Sequence, residues 1–221
     1  MKKVLIAGSS GMIGGLILKH CLDSDQISEV ILIIRKNSGL NHPKLRKIIH
    51  RDFTDFSPIV SVFQNIDTAF FCVGVYTGSV PDVEFKKITV DYAKAFADAL
   101  KSQSPGATLC FLSGQGADKT EKSRISFARY KGMAENYLEK KSFSRLYIFR
   151  PSYIYPVEKR KEPNISYSIM RSLYPLIKLF GRNASIKSTE LAEAMFHAGM
   201  NGFNQTIIEN IEIFRLLPGK S

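Results

Sequence analysis

Three glycines near the start of the chain have the spacing of a turn that binds phosphate groups. They form the pattern GxxGxxG in "GSSGMIG", between an apolar stretch, "KVLIAG", and a segment of helical periodicity, "MIGGLILKHCL". Glycine permits the tight turn and lets the backbone approach a pyrophosphate, which then meets amides at the positive end of the helix. A Walker A loop is excluded because no Gly-Lys-Ser/Thr follows, and the remaining alternative is a glycine turn without a ligand. We predict a dinucleotide site whose residues in this turn are Gly8, Ser10, Gly11, Met12, Ile13 and Gly14.

The residue that ends the second apolar stretch bears on the choice of cofactor. The stretch "EVILIIR" closes with Arg35, Lys36 follows it, and no acidic residue stands at its tip. Sites for NAD usually place an Asp or Glu there for the ribose 2′-hydroxyl, whereas an arginine accommodates the 2′-phosphate of NADP. A charge-assisted hydrogen bond to phosphate contributes about 1.5–3 kcal/mol. We therefore predict that NADP(H) is preferred over NAD(H); the alternative is a surface arginine at the end of a strand.

A tyrosine and a lysine meet in "SFARYKGMAEN", residues 126–136. When a tyrosine precedes a lysine by four residues on a helix, both side chains share a face and the cation can lower the pKa of the phenol for proton transfer. Here that position holds Phe127, which has no proton to give. Tyr130 is adjacent to Lys131 in sequence and lies about 100° around the helix from it. We interpret Tyr130 as an ordinary helix tyrosine.

The scaffold for these residues is predicted from alternating apolar runs and helical segments. One helical segment, 82–102, carries a row of apolar residues on one face: Phe85, Ile88, Tyr92, Phe96 and Leu100. Strands are predicted at 3–8, 29–35, 46–53, 68–74, 107–114 and 145–151, and helices at 12–22, 82–102 and 123–140, with a brief helix from Ser57 and Pro58. Uniformly apolar strands separated by helices are typical of a parallel sheet covered on both faces. The predicted fold class is α/β, a doubly wound parallel sheet.

The pattern changes after Pro151. An amphipathic helix is predicted at 162–181, kinked at Pro175, followed by a helix at 188–200 and a strand near 205–210. The sequence contains no repeats and no flexible linker. We therefore expect a single NAD(P)-binding domain over 1–221, in which 152–204 forms a small C-terminal cap over the carboxyl ends of the strands, on the substrate side.

Length, charge and cysteine content limit the classes of protein that fit. A chain of 221 residues, 44% of them apolar, can fill the core of one domain, and its net charge of +11 suits an anionic ligand. The basic residues are scattered and form no RNA-binding signature or zinc finger, so no nucleic-acid partner is expected. The three cysteines lack CxxC spacing and the four histidines are dispersed, so we predict buried free thiols and no metal site. No stretch approaches the roughly 18 apolar residues that cross a bilayer, and the apolar run near the start is too short for a signal core. We expect a cytoplasmic protein without integral membrane contact.

Several stretches carry a resemblance to a known family, in order along nearly the whole chain. They are "GSSGMIG", "RDF" (51–53), "FFCVGVYTG" (70–78), "VDYAKAFADA" (90–99), "FLSGQGADK" (111–119), "KGMAENYL" (131–138), "IFRPSYIYP" (148–156) and "IIENIEIF" (207–214). Together they make the chain similar to the atypical short-chain dehydrogenases/reductases, in the group of the human Tat-interacting-protein-like oxidoreductases and many bacterial NAD(P)-binding proteins. The resemblance implies a Rossmann fold and a nicotinamide cofactor, but no particular substrate.

The resemblance also implies roles for residues outside the glycine turn. Ser113 matches the serine that orients the substrate carbonyl, and Lys131 matches the lysine that holds the hydroxyls of the nicotinamide ribose. Further cofactor contacts are implied for Asp52 and Phe53 at the adenine, for Cys72, Val73 and Gly74 at the adenine-side ribose and pyrophosphate, and for Pro151, Ser152 and Tyr153 at the nicotinamide. The alternatives are a turn residue at Asp52, a strand-end hydroxyl at Ser113 and a solvated helix lysine at Lys131.

The chain departs from the family pattern at Phe127, where the family has its catalytic tyrosine. Loss of a general acid typically costs about 10²–10⁴-fold in rate, so three functions stay open, and two of them belong to different classes. One is an NADP(H)-dependent oxidoreductase acting on a small carbonyl or alcohol, with Ser113 and Lys131 as catalytic residues and Tyr76, Tyr153 or water as the proton donor. The other is a catalytically weak or inactive NADPH-sensing protein that regulates a partner, and a non-reductive use of the cofactor is a third option. The sequence predicts a small-molecule substrate and leaves homo-oligomerisation open.

Overall fold

Seven strands form one parallel sheet in the computed structural model, which describes residues 1–37, 39–158, 174, 181 and 183–217. They are β1 (Lys2–Ala7), β2 (Ile27–Ile34), β3 (Leu45–Ile49), β4 (Thr68–Phe71), β5 (Thr108–Leu112), β6 (Arg145–Arg150) and β9 (Ile207–Glu209), while β7 (Tyr153–Tyr155) and β8 (Ser185–Lys187) pair separately. The spatial order of the sheet is β3-β2-β1-β4-β5-β6-β9. The order reverses between β1 and β4, and ligands bind outside the carboxyl ends of the strands at such a reversal.

Helices cover both faces of this sheet. They are α1 (Met12–Asp23), α2 (Asp82–Lys86), α3 (Tyr92–Gln103), α4 (Ser126–Lys140), α5 (Ser188–Asn201) and α6 (Asn210–Ile213). A π-helical turn, Lys87–Asp91, joins α2 to α3, and 3-10 turns lie at Ser57–Phe63 and Phe214–Leu216. The predicted helix over 82–102 therefore forms with one irregular turn inside it, and its predicted apolar row is buried.

Each central strand is apolar along its whole length because both of its faces are buried. In β1, Val4 and Ile6 pack into a cluster with α1 and α5, whereas Leu5 and Ala7 pack into a second cluster with α3 and α4. Side chains alternate between the two faces with a period of two. A strand covered on both sides thus appears in the sequence as a continuous apolar run, which is why the central strands were predictable.

The small sheet of β7 and β8 was not predicted. Its two strands have three residues each, and they pair in parallel with Tyr153 opposite Ser185 and Tyr155 opposite Lys187. Strands this short show no periodicity of their own, and their pairing joins segments about thirty residues apart. The sequence pattern therefore could not reveal them.

The C-terminal part of the predicted cap needs correction. Leu191 and Met195 of α5 are fully buried in the same cluster as α1, on a face of the sheet. The hydroxyl of Thr68 donates to the carbonyl oxygen of Gly199 at 3.0 Å, and a Cβ on Gly199 would lie 2.7 Å from the ring of Phe70. Helix α5 is therefore a layer of the core and does not cover the carboxyl ends of the strands. The helix predicted at 162–181 lies outside the described residues, apart from 174 and 181.

Candidate functional site

The glycine turn folds back tightly between β1 and α1. The amide of Gly11 donates to the carbonyl oxygen of Gly8 at 3.0 Å, and Gly11 is the N-cap of α1. Gly8 has a φ of +91°, and a Cβ on it would lie 2.5 Å from the carbonyl carbon of Cys72. A Cβ on Gly14 would lie 2.2 Å from the oxygen of Gly8. Neither Gly8 nor Gly14 has room for a side chain, and the N-cap has none with which to satisfy the first amides of α1.

A cavity of about 360 Å³ lies beside this turn, at the carboxyl ends of the central strands. The predicted site residues that line it are Gly11, Met12, Ile13, Cys72, Val73, Gly74, Ser113, Lys131, Pro151, Ser152 and Tyr153. Tyr76, one of the proposed proton donors, also lines it, together with apolar residues to which the sequence had assigned no role: Val75, Leu112, Ile154 and Pro156. The same cavity therefore extends from the start of α1 to residues at the carboxyl ends of β4, β5 and β6.

Six predicted cofactor residues do not line this cavity: Gly8, Ser10 and Gly14 of the turn, and Arg35, Asp52 and Phe53 outside it. Arg35 is exposed directly after β2. The carboxylate of Asp52 accepts hydrogen bonds from the hydroxyl of Thr54 at 2.5 Å and from its amide at 2.9 Å, and these bonds lower the pKa of Asp52. Phe53 is 3% exposed, and its ring packs edge-on against Phe56, so only its backbone is available to a ligand. Asp52 is thus a turn residue in the ligand-free fold, and the adenine contacts stay predictions.

Lys131 is a partly buried cation in the wall of the cavity. Its Nζ donates to the carbonyl oxygen of Leu112 at 3.1 Å. Burial lowers the pKa of Lys131 to about 8, although the neighbouring Glu135 and Cys72 act in the opposite direction. The alternative of a solvated helix lysine is therefore excluded. A lysine with a pKa this close to neutrality has the electrostatic setting of a functional group.

Replacing Lys131 with methionine should stabilise the ligand-free protein at neutral pH. Because the pKa falls from 10.5 to about 8 on folding, the buried ammonium opposes folding wherever both the folded and the unfolded chain are protonated. Between pH 8 and 10.5 the unfolded chain binds more protons here, so the stability of the wild-type protein should rise toward that of the variant. Thermal unfolding of both proteins across this range measures the difference.

The control for this experiment is Lys140→Met, which removes an exposed lysine from the end of the same helix. Its difference from wild type should not change with pH over the same window. If the difference in stability between Lys131→Met and wild type does not change with pH, the lowered pKa of Lys131 in the folded protein is wrong.

Ser113 is hydrogen-bonded to a buried carboxylate that the sequence reasoning missed. The hydroxyl of Ser113 donates to Oε1 of Glu135 at 2.5 Å, and Glu135 is fully buried. Arg150, at the end of β6, pairs with both oxygens of Glu135 and with Glu209 at 2.8 Å, and these partners raise the pKa of Arg150 further. The signal that could have revealed Glu135 is its spacing of four residues from Lys131, which puts both side chains on one face of α4.

The two aromatic residues before Lys131 lie in different surroundings. Phe127 lines the cavity, and its ring tip lies 2.6 Å from where a Cβ on Gly114 would be. Tyr130 is buried in a separate cluster with Phe85, and its hydroxyl donates to the carboxylate of Asp82 at 2.5 Å. The interpretation of Tyr130 as a structural tyrosine is confirmed.

Two further properties concern the described part of the chain. No three His, Cys, Asp or Glu side chains in it lie close enough together to hold a metal ion. None of its helices is both long and apolar enough to span a membrane.

A parallel sheet of this strand order, with a glycine turn at its point of reversal, defines a Rossmann fold. The chain belongs to the NAD dependent epimerase/dehydratase family, whose model matches residues 4–190. It is 30% identical over 154 residues to Protein HTATIP2 of Rattus norvegicus, and the match spans 68% of this chain but only 62% of that relative. It is 22% identical to Protein fmp52-2, mitochondrial, of Aspergillus oryzae, over 98% of this chain and 97% of the relative. These relatives confirm the predicted resemblance, whereas the mitochondrial label of the fungal protein gives no support to the cytoplasmic location, which stays a prediction.

Solved structures share the fold over nearly the whole chain. Gre2 of Candida albicans, in complex with NADPH, gives a TM-score of 0.71 at 19% identity and covers 95% of this chain and 78% of its own. The Bordetella bronchiseptica enzyme WbmH, in complex with NAD+, gives a TM-score of 0.70 at 16% identity and covers 95% and 75% of the two chains. At this level of identity the likeness establishes the fold alone, and it confirms the predicted fold class.

Proposed function

We propose that the protein is an NADP(H)-dependent oxidoreductase that transfers a hydride to or from a small carbonyl or alcohol substrate. The observation that carries the proposal is the single cavity that joins the N-terminus of α1 to Ser113 and Lys131. A helix N-terminus favours a pyrophosphate, and a hydroxyl with a cation at the other end suits a reacting carbon–oxygen group. Membership of a family named for NAD dependence supports a nicotinamide cofactor.

The residues around the cavity suit the pyrophosphate and the nicotinamide half of a dinucleotide. The first amides of α1, at Met12 and Ile13, would hold the pyrophosphate. Lys131 would hold ribose hydroxyls, and Pro151 and Tyr153 would border the nicotinamide ring, which supplies or accepts the hydride when the cofactor is bound. With a pKa of about 8, Lys131 is mostly protonated at neutral pH and would stabilise negative charge that develops on the substrate oxygen.

The preference for NADP(H) is proposed from the position of one arginine. Because Ala7 of β1 pairs with Ile33 of β2, Arg35 lies two residues beyond that pair, level with the glycine turn. Its exposed guanidinium would be available to the 2′-phosphate of NADP, at the position where NAD carries a 2′-hydroxyl. The similar structures include both an NADPH complex and an NAD+ complex and so do not distinguish the two cofactors, and the proposed preference rests on Arg35.

Arg35→Ala should raise the Kd for NADPH about ten- to a hundredfold while leaving the Kd for NADH unchanged, because a charge-assisted bond to phosphate contributes about 1.5–3 kcal/mol. The change in nucleotide fluorescence on binding measures both constants. Lys140→Ala, which removes an exposed charge elsewhere, is the matched control. Equal affinities of the wild-type protein for both nucleotides, or a preference that survives in Arg35→Ala, would show that the arginine does not select the cofactor.

The second candidate function is that of an NADPH-sensing protein, and it is favoured by Phe127. A phenylalanine in the wall of the cavity cannot transfer a proton, and the usual tyrosine is absent. The two functions are separated by following NADPH absorbance in the presence of a carbonyl panel, and NADP+ in the presence of the corresponding alcohols. An oxidoreductase changes the absorbance, whereas a sensor binds NADPH saturably without consuming it.

A further inference from the structure

The hydroxyl of Ser113 has its only proton directed away from the cavity. Ser113 lines the cavity, yet its Oγ donates to the fully buried Glu135 at 2.5 Å. A serine hydroxyl has one proton and two lone pairs, so a proton engaged by a carboxylate leaves only acceptor capacity for another partner. Glu135 therefore determines that Ser113 can accept a hydrogen bond from a ligand but cannot donate one.

Arg150 fixes the direction of this hydrogen bond. Its Nε lies 3.1 Å from Oε1 and 3.2 Å from Oε2 of Glu135, and its Nη2 also donates to Oε2. A guanidinium has donors only and stays charged, so it holds Glu135 as an acceptor with both oxygens. Its other side pairs with Glu209 at 2.8 Å, which keeps the guanidinium in place. Ser113 must therefore be the donor in its bond to Glu135.

We propose that Glu135 makes Ser113 a hydrogen-bond acceptor, so that the site binds its small ligand as an alcohol, and that the Ser113–Glu135 pair receives the proton that a tyrosine would otherwise take. The inference rests on the proposed oxidoreductase function. In the oxidation, the alcohol C–H electron pair leaves as hydride to the nicotinamide, and the O–H proton passes to Oγ of Ser113. The original proton of Ser113 passes to the carboxylate of Glu135, and a C=O bond forms. Reduction runs the same transfers backwards.

Because Glu135 acts through Ser113, it is a positioning residue, and Glu135→Gln gives a sharp test of its role. The amide oxygen should turn to Arg150, which can only donate, and the amide NH₂ should then face Ser113. In this variant the serine accepts from the amide, and its own proton is free for the cavity. The preference of the site should therefore reverse, from alcohol in the wild-type protein to the matching ketone in Glu135→Gln. If Glu135 only stabilised the fold, Glu135→Gln would lower the affinity for the alcohol and for the ketone equally.

The experiment compares cyclohexanol with cyclohexanone as probes that differ only at the oxygen and suit an apolar wall. Ligand-observed NMR gives their Kd values for the nucleotide-free protein and for its complex with tetrahydro-NADPH, which cannot transfer hydride. The wild-type protein should prefer the alcohol about tenfold, since a mismatched pair leaves a buried polar group unsatisfied, and Glu135→Gln should prefer the ketone by a similar factor. Ser113→Ala should show no preference, and Glu139→Gln, which alters a half-buried glutamate paired with Lys119 one turn further along α4, should behave as wild type.

The possible outcomes distinguish a failure of this inference from a failure of the proposed oxidoreductase function. A wild-type preference for the ketone, an unreversed preference in Glu135→Gln, or no binding of either probe to any of these proteins would overturn the inference. If Glu135→Gln does not fold, Ser113→Ala carries the test, because a preference that survives it cannot come from the serine. Absence of saturable nucleotide binding would instead overturn the proposed oxidoreductase, while the probe preferences in the nucleotide-free protein would still report on Ser113.

Discussion

Gly14→Ala should lower the affinity for NADPH about a hundredfold or more. The new Cβ would lie 2.2 Å from the carbonyl oxygen of Gly8 and 2.7 Å from its carbonyl carbon. Both are backbone atoms, so neither can rotate away, and Gly8 is itself held at a φ of +91° against Cys72. The turn must therefore shift as a unit, and the amides at the start of α1 lose their positions around the pyrophosphate. A displacement that costs about 3 kcal/mol, at the upper end of the usual penalty for overpacking, corresponds to the expected hundredfold loss of affinity.

Isothermal titration with NADPH measures this loss at a temperature where the variant is folded. Gly106→Ala is the matched control, because Gly106 is exposed and a Cβ there would meet no atom within 4 Å. Its affinity should equal that of wild type. Gly14→Ala should also melt several degrees lower, since the overpacked turn belongs to the fold as well as to the site. If the variant instead binds NADPH within a few-fold of wild type, the pyrophosphate does not rest on this turn.

The parts of the site that sequence predicts well are those whose residue types follow from local geometry. Gly8 is required by its positive φ, and both Gly8 and Gly14 are required by backbone atoms that would lie less than 3 Å from an added Cβ. The central strands were likewise predictable, because burial on both faces demands an uninterrupted apolar run. In each case the constraint acts within a few residues and leaves a pattern that can be recognised without knowing the partners.

The parts that sequence predicts poorly depend on contacts between distant segments. Glu135 looks like a solvated helix glutamate until Arg150, from another element, is placed beside it. Helix α5 contains small residues such as Gly199, which let the helix approach Phe70 of β4 closely. The helical periodicity of the sequence predicted that α5 forms but not where it packs, so the helix was assigned to the cap. Likewise the family pattern assigns Phe53 to an adenine contact, whereas its side chain packs in the hydrophobic core.

Phe127→Tyr should raise the rate of hydride transfer about a hundredfold or more, provided that the wild-type protein lacks an equally effective proton donor at this position. The added hydroxyl would be carried on the ring tip, which lies against Gly114 in the wall of the cavity, one residue after Ser113 in the chain. Lys131 follows four residues later on α4, so the hydroxyl and the cation would share one face of the helix. The cation would lower the pKa of the new phenol, and a positioned general acid typically contributes about 10²–10⁴-fold.

Tyr130→Phe is the control for that gain, because it removes a hydroxyl from the same helix that bonds Asp82 and does not line the cavity. It should leave turnover unchanged and lower stability by about 1–3 kcal/mol, because the hydroxyl donates to Asp82 and accepts from Nη2 of Arg129 at 3.3 Å. NADPH consumption with the carbonyl panel, measured for both variants and wild type at saturating cofactor, gives the comparison. A Phe127→Tyr protein that binds NADPH as wild type does but gains no turnover would show that the missing phenol is not what limits the site. The sensing function would then be favoured, because cofactor, cation and general acid would all be present without a reaction.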